Sequence, residues 1–191
     1  ASLSLTGKLT GKRAGKLLGA PIGGGRRRSV QSTVKRLKQF RCKMPRIHAL
    51  RRARVPTHHV VRTAGTPAVI YSMEVTGASN THLQNMRSCI ARAAAPEGGG
   101  KNPDLTLYYL DADNGTLDPA FDAHILPIKF WCMAIWEQWI DSGTLTKAIR
   151  NVRCKLDGAK YPWSVTTGPV ATLLNSLERI GWSLQSCETL V

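Results

Sequence analysis

Residues 127–140 read PIKFWCMAIWEQWI. Ile128, Trp131, Ile135 and Trp139 recur at helical spacing, with Phe130 and Trp136 beside them, which predicts a buried α-helix in the most apolar stretch of the chain. Two amphipathic patterns follow. Leu145, Ile149, Val152 and Leu156 form the first; Val170, Leu173, Leu174, Leu177 and Ile180 form the second, which closes at Gly181. These periods predict an all-α fold. All five Trp lie after residue 130, so the densest core is expected there.

Working upstream, the punctuation stays helical, with a capping residue or proline opening each element and glycine closing it. Thr66-Pro67 predicts a short apolar helix ending at Gly77. Thr81 and Gln84 form a capping-box pattern for a helix that carries Leu83, Met86, Ile90 and Ala94 on one face. Gly98 to Gly100 reads as a linker, and Pro103 to Asp111 is ambiguous between a helix and a short strand, because Leu105, Leu107 and Leu110 fit both periods partly. Pro119 and Pro127 both suit the first turn of a helix. From Ser29, an N-cap, the chain predicts a helix with Val30, Val34, Leu37 and Met44 on one face. Pro45 kinks or restarts it before it runs on to Arg54. The expected organisation is a disordered basic arm over 1–28, a basic helical rod over 29–62, and a multi-helix body with a Trp-rich core over 63–191.

Charge divides the chain more sharply than hydropathy does. Residues 1–62 hold 17 Lys and Arg with no Asp or Glu, whereas residues 63–191 hold 10 basic and 12 acidic residues. A segment so one-sided repels itself unless an anionic surface lies against it, and a phosphate backbone, RNA or DNA, is the expected partner. The candidate contacts are Arg26, Arg27, Arg28, Lys35, Arg36, Lys38, Arg41, Lys43, Arg46, Arg51, Arg52 and Arg54. The competing interpretation is a solvated helix face. A membrane partner is not expected, because the basic third lacks the Trp, Phe and Leu face of an interfacial helix and no apolar run reaches the ~20 residues of a span.

The five cysteines are widely spaced, odd in number and lack a Cys-x-x-Cys pair, which points to free thiols in a reducing compartment. An intracellular location, nuclear or cytoplasmic, is expected. A mitochondrial presequence is less favoured, since the glycines at 7, 11, 15, 19 and 23 to 25 break the amphipathic helix it requires. The ends at Ala1 and Leu190-Val191 suggest a fragment of a longer protein.

No catalytic constellation, cofactor motif or metal site emerges. Gly98-Gly99-Gly100-Lys101-Asn102 falls short of a phosphate-binding loop, with Ala95 at the first glycine position and Asn102 where a magnesium-ligating hydroxyl belongs. Asp111, Asp113, Asp118 and Asp122 form the one acidic cluster. Two-metal chemistry uses such carboxylates, but a solvated acidic turn is expected, with Asp118 before Pro119 as an N-cap. Histidines 48, 58, 59, 82 and 124 lack ligand spacing. Gly-x-Ser-x-Gly is absent, and Glu188-Thr189-Leu190-Val191 resembles a weak ligand for a carboxylate-binding groove. An enzyme is not expected.

Leu18-Gly19 to Arg28, the arginine-rich helix through Arg54, Arg62-Thr63-Ala64-Gly65-Thr66-Pro67 and Tyr71-Ser72-Met73-Glu74-Val75 come in an order that resembles one family. It is the region just downstream of the polymerase core in reverse-transcriptase-like proteins of protist non-LTR retroelements. Gly99 to Leu105 and Leu117-Asp118-Pro119-Ala120-Phe121 extend the resemblance over most of the chain. It implies a thumb or connector role, holding template and primer beside an attached or upstream polymerase core. The family's palm motif, an aromatic residue, one variable residue and two adjacent aspartates, is only echoed by Tyr109-Leu110-Asp111-Ala112-Asp113, where Ala112 separates the carboxylates. Polymerase activity is therefore not implied here. The alternative is a stand-alone structural RNA-binding protein of ribosomal type.

Overall fold

The computed structural model describes residues 14–17, 20–23, 28, 30–95, 102–111 and 115–184. Its body is all-α, in agreement with the helical periods. Within the stretch expected as a disordered arm, β1 (Ala14–Leu17) and β2 (Ala20–Gly23) pair antiparallel, with Lys16 opposite Pro21. Both strands of a two-stranded ribbon are edges, the position in a sheet where proline is tolerated. The rest of residues 1–27, Arg26 and Arg27 included, lies outside the described residues.

The basic region forms α1 (Gln31–Cys42) and α2 (Met44–Arg52), with Pro45 in the first turn of α2. A continuous helical run follows: α3 (Thr57–Val60), a π turn over Val61–Gly65, and α4 (Thr66–Ile70). The boundary expected at residue 62 falls inside this run. The helix predicted from Thr66 to Gly77 is in fact two, α4 and α5 (Met73–Thr76), because Ser72 takes a left-handed φ of 71° between them.

Beyond Gly77 come α6 (Asn80–Ala94), α7 (Pro103–Leu110), α8 (Pro119–Trp136), α9 (Ser142–Asp157), α10 (Pro162–Val165) and α11 (Pro169–Arg179). Ser79, not Thr81, caps α6, its hydroxyl accepting the His82 N–H, so the helix starts earlier than the capping-box pattern placed it. Asn102 resolves the ambiguous Pro103–Asp111 stretch as a helix by accepting the N–H groups of Asp104 and Leu105. Asp118 caps α8 as expected. Pro127 sits inside α8 rather than opening a helix, since α8 already begins at Pro119. A proline there removes the bond that Ala123 would otherwise accept.

Two apolar clusters fill the body. The larger joins Leu37 and Phe40 of α1, Ile47 of α2, Val61, Val69, Met73, Met86, Ile90 and Leu107 with Leu117 and Ala123. The smaller gathers Trp131, Leu145, Ile149, Leu173, Leu177 and Leu184. The Trp-rich core is thus corrected: Trp131 is 5% exposed, but Trp136, Trp139 and Trp182 are 84%, 50% and 52% exposed. A helix apolar on every side can bury only the face its neighbours cover, and α9 and α11 cover the Trp131 face. The rod is corrected as well. It shares the larger core, and its inward face is Thr33, Leu37 and Phe40, while Val30 and Val34 are 40% and 50% exposed. Among the described residues no helix is long and apolar enough to cross a membrane.

Candidate nucleic-acid interface

With Thr33, Leu37 and Phe40 turned inward, the helical period carries Lys35 and Lys38 to the opposite side of α1. Ile47 pins α2 in the same way. Lys35, Lys38, Arg41, Arg46 and Arg52 on these helices, Lys43 between them and Arg54 just past α2 are all exposed. Arg54 has a left-handed φ of 60° and ends α2, where the next N–H, that of Val55, bonds the Leu50 carbonyl. The fold therefore presents seven cations on a packed surface with no carboxylate before Glu74 in the chain.

The remaining candidates hold the fold together as well as carrying charge. Arg51 donates to the carbonyls of Arg92 at 3.0 Å and Ala93 at 2.7 Å, satisfying acceptors at the C-terminus of α6. Arg36 donates to Tyr71 O at 2.8 Å and Ser72 Oγ at 3.1 Å, and its guanidinium lies 4.8 Å from the Tyr71 ring centroid. Beside these helices, facing the 57–70 run, opens a cleft of about 350 Å³ with Phe40, Ile47 and Val61 in its floor and Lys43 and Arg46 on its rim.

A second basic cluster joins residues far apart in sequence. Arg28 donates its backbone N–H to Ser164 O, and its guanidinium lies 5.9 Å from the Trp163 ring centroid. Arg179 lies 4.3 Å from the same ring and donates to Ala78 O at 2.6 Å. Burial, and then the charge of Arg28, bring the Arg179 pKa down to about 10. Burial lowers Arg28 too, and burial followed by the charges of Arg28 and Arg41 lowers His82. Gly77, at φ 58°, makes room for this arrangement: a Cβ there would come within 2.5 Å of Trp163 Cζ3. Only Arg28 of this set was legible as a candidate. Nothing local marks Trp163 or Arg179, because tertiary packing alone brings them together.

Of the acidic cluster, Asp113 lies outside the described residues, and Asp111 is buried and not a solvated turn residue. Asp111 is 9% exposed; its carboxylate accepts the Leu117 and Asp118 N–H groups at 2.9 Å and lies 3.5 Å from Arg62. Asp118 and Asp104 both pair with Arg87, whose pKa rises chiefly through its hydrogen bond to Asp118. Asp122 has its pKa raised by burial and then by Asp111. Among the described residues no group of three His, Cys, Asp or Glu is placed to hold a metal ion. Cys42, Cys132 and Cys154 are exposed free thiols, and burial pushes the Cys89 thiol up. The glycine linker at 98–100 and the C-terminal Glu188-Thr189-Leu190-Val191 lie outside the described residues. No family model matches the chain, and no curated protein or solved structure matches it.

Proposed function

We propose that this chain is a non-catalytic nucleic-acid-binding module that grips a phosphate backbone with the exposed cations of α1 and α2. The observation that carries this is the placement of Lys35, Lys38, Lys43, Arg46, Arg52 and Arg54 on helices anchored by Leu37, Phe40 and Ile47. Cations on a rigid scaffold meet a backbone without first losing the conformational freedom of a tail. Contacts of this kind position the duplex and read little sequence. The resemblance to the region downstream of a retroelement polymerase core supplies a setting, in which template and primer are held beside a separate catalytic unit.

The test is a titration of a 16-base-pair RNA duplex between 50 and 200 mM salt. If about 6 to 10 phosphates are neutralised, affinity falls by about 10³ to 10⁵ over that range. Replacing Lys35, Lys38, Lys43, Arg46, Arg52 and Arg54 together by Gln should flatten the log–log salt slope by about 5, at roughly 0.9 per phosphate. None of these six forms an ion pair among the described residues, so the fold should persist, which circular dichroism checks. Unchanged affinity and slope in a folded variant would leave the basic face as a solvated surface.

A further inference from the structure

The cleft between the start of α1, the start of α6 and the segment leading into α10 has a volume of about 580 Å³. That is within the ~300–1,000 Å³ of sites that take small ligands or single residues of a polymer. Arg28, Lys160, Tyr161, Trp163, Ser79 and Asn80 are among the residues that line it, and none of the described lining residues is acidic. Tyr161 is 66% exposed, so a ring face of this size stands open to solvent. Lys160 Nζ lies 5.6 Å from the Tyr161 ring centroid, and the Arg28 guanidinium 5.9 Å from that of Trp163. Each aromatic ring is thus accompanied by a cation, and Ser79 and Asn80 at the start of α6 add polar side chains to the wall.

The electrostatics of the cleft are unbalanced from behind. Arg28 and Arg179 share the Trp163 ring, and among the described residues neither has a carboxylate partner. Arg28 Nη1, together with Nε and Nη1 of Arg179, is buried with no hydrogen-bond acceptor among the described residues. Two guanidinium groups held this way repel each other, and their buried donors are costly until an anion approaches. What suits the cleft is a ligand with a flat apolar face for Tyr161 and a negative group for Arg28 and Lys160.

We infer that this cleft binds single-stranded nucleic acid, stacking an unpaired base on Tyr161 while Arg28 and Lys160 hold the adjoining phosphate. A duplex hides its base faces, so only a single strand, a loop or a frayed end offers both groups at once. The inference rests on the nucleic-acid reading of the α1–α2 face and extends it: that face takes backbone of any form, and the cleft selects unpaired bases. Arg28 and Val30, on one side of the cleft, come just before α1 in the sequence, so that side of the cleft and the α1–α2 face are close along the chain.

The experiment compares the full chain with Tyr161→Ala, Tyr161→Phe and Lys160→Gln, using a fluorescein-labelled single-stranded 12-mer of uridine and a blunt 16-base-pair RNA duplex. Both residues are exposed, and melting temperature confirms that each variant is folded. Tyr161→Ala should weaken single-strand binding by about 5- to 150-fold, the range for loss of one stacking platform, and leave duplex binding unchanged. Tyr161→Phe keeps the ring and should bind as the parent does. Lys160→Gln should reduce the single-strand salt slope by about one. Duplex binding that persists while Tyr161→Ala holds the single strand as tightly as the parent overturns the inference and leaves the α1–α2 function standing. A parent chain that binds neither nucleic acid, or binds only an acidic polyglutamate peptide, overturns both.

Discussion

Both carboxylate oxygens of Asp111 accept backbone N–H groups from the Leu117–Asp118 segment, while Arg62 bridges the Leu110 carbonyl and the same carboxylate. These bonds close the loop between α7 and α8 over a buried site. Asparagine keeps the shape but surrenders one acceptor oxygen and takes away the carboxylate that faces Arg62. Asp111→Asn should therefore destabilise the chain by about 1–3 kcal/mol, the cost of a buried group left unsatisfied. In a chain of this size each kcal/mol moves the melting temperature by about 2–4 °C. Duplex affinity measured well below the transition should not change, because the partners of Asp111 are Leu117, Asp118 and Arg62 and none of the α1–α2 cations. A melting temperature within a degree of the parent would show that the clasp does not contribute. The neighbouring Asp118 was legible because Asp-Pro is a local helix-start signal. Asp111 was not, since its partners lie six and seven residues on and in the 57–70 run, and only the folded loop brings them together.

At the scale of the element, α1 shows why periodicity finds a helix more readily than it finds the helix's inward face. Val30, Val34 and Leu37 fit an apolar stripe, yet the buried set is Thr33, Leu37 and Phe40. What sets the rotation is a tertiary fit. Phe40 packs against Gly65 in the π turn so closely that a Cβ on Gly65 would lie 2.7 Å from Phe40 Cε2. Thr33 tolerates burial because its hydroxyl donates to the Val30 carbonyl at 2.9 Å. Nothing within residues 29–54 announces a complementary glycine at 65, so an independent rod was the natural expectation for a segment so rich in charge. Phe40→Ala should cost about 3–5 kcal/mol, the usual toll for emptying an aromatic core position. In guanidinium unfolding the midpoint should fall while the slope holds, since the surface exposed on unfolding is nearly the same. A midpoint equal to the parent's would mean that α1 is a loosely attached rod and not part of the core.

For the whole molecule, composition and order foretold a bipolar chain, all-α and basic at one end, but not that the basic end would share a core with the rest. The two apolar clusters are joined by a single long helix. α8 supplies Ala123 to the larger cluster and Trp131 to the smaller, and the buried Pro127 lies between them. Further ties cross the same divide. Thr172 on α11 donates to the Val75 carbonyl at 2.8 Å, Arg179 reaches Ala78 O, and the Arg28 N–H bonds Ser164 O at 3.0 Å. α11 also packs on α5 and α8 as well as on α9, so the smaller cluster cannot open without uncovering part of the larger. Residues that share buried surface in this way should unfold together. Met86→Ala in the larger cluster and Leu177→Ala in the smaller should each cost about 2–5 kcal/mol. In both variants the transition should remain single, with far-ultraviolet circular dichroism and tryptophan fluorescence giving one midpoint. Fluorescence reports on the smaller cluster through Trp131, the buried tryptophan that belongs to it. If Met86→Ala lowered the dichroism midpoint and left the fluorescence midpoint in place, the clusters would be separate folding units, and α8 would be a connector between them and not a shared beam.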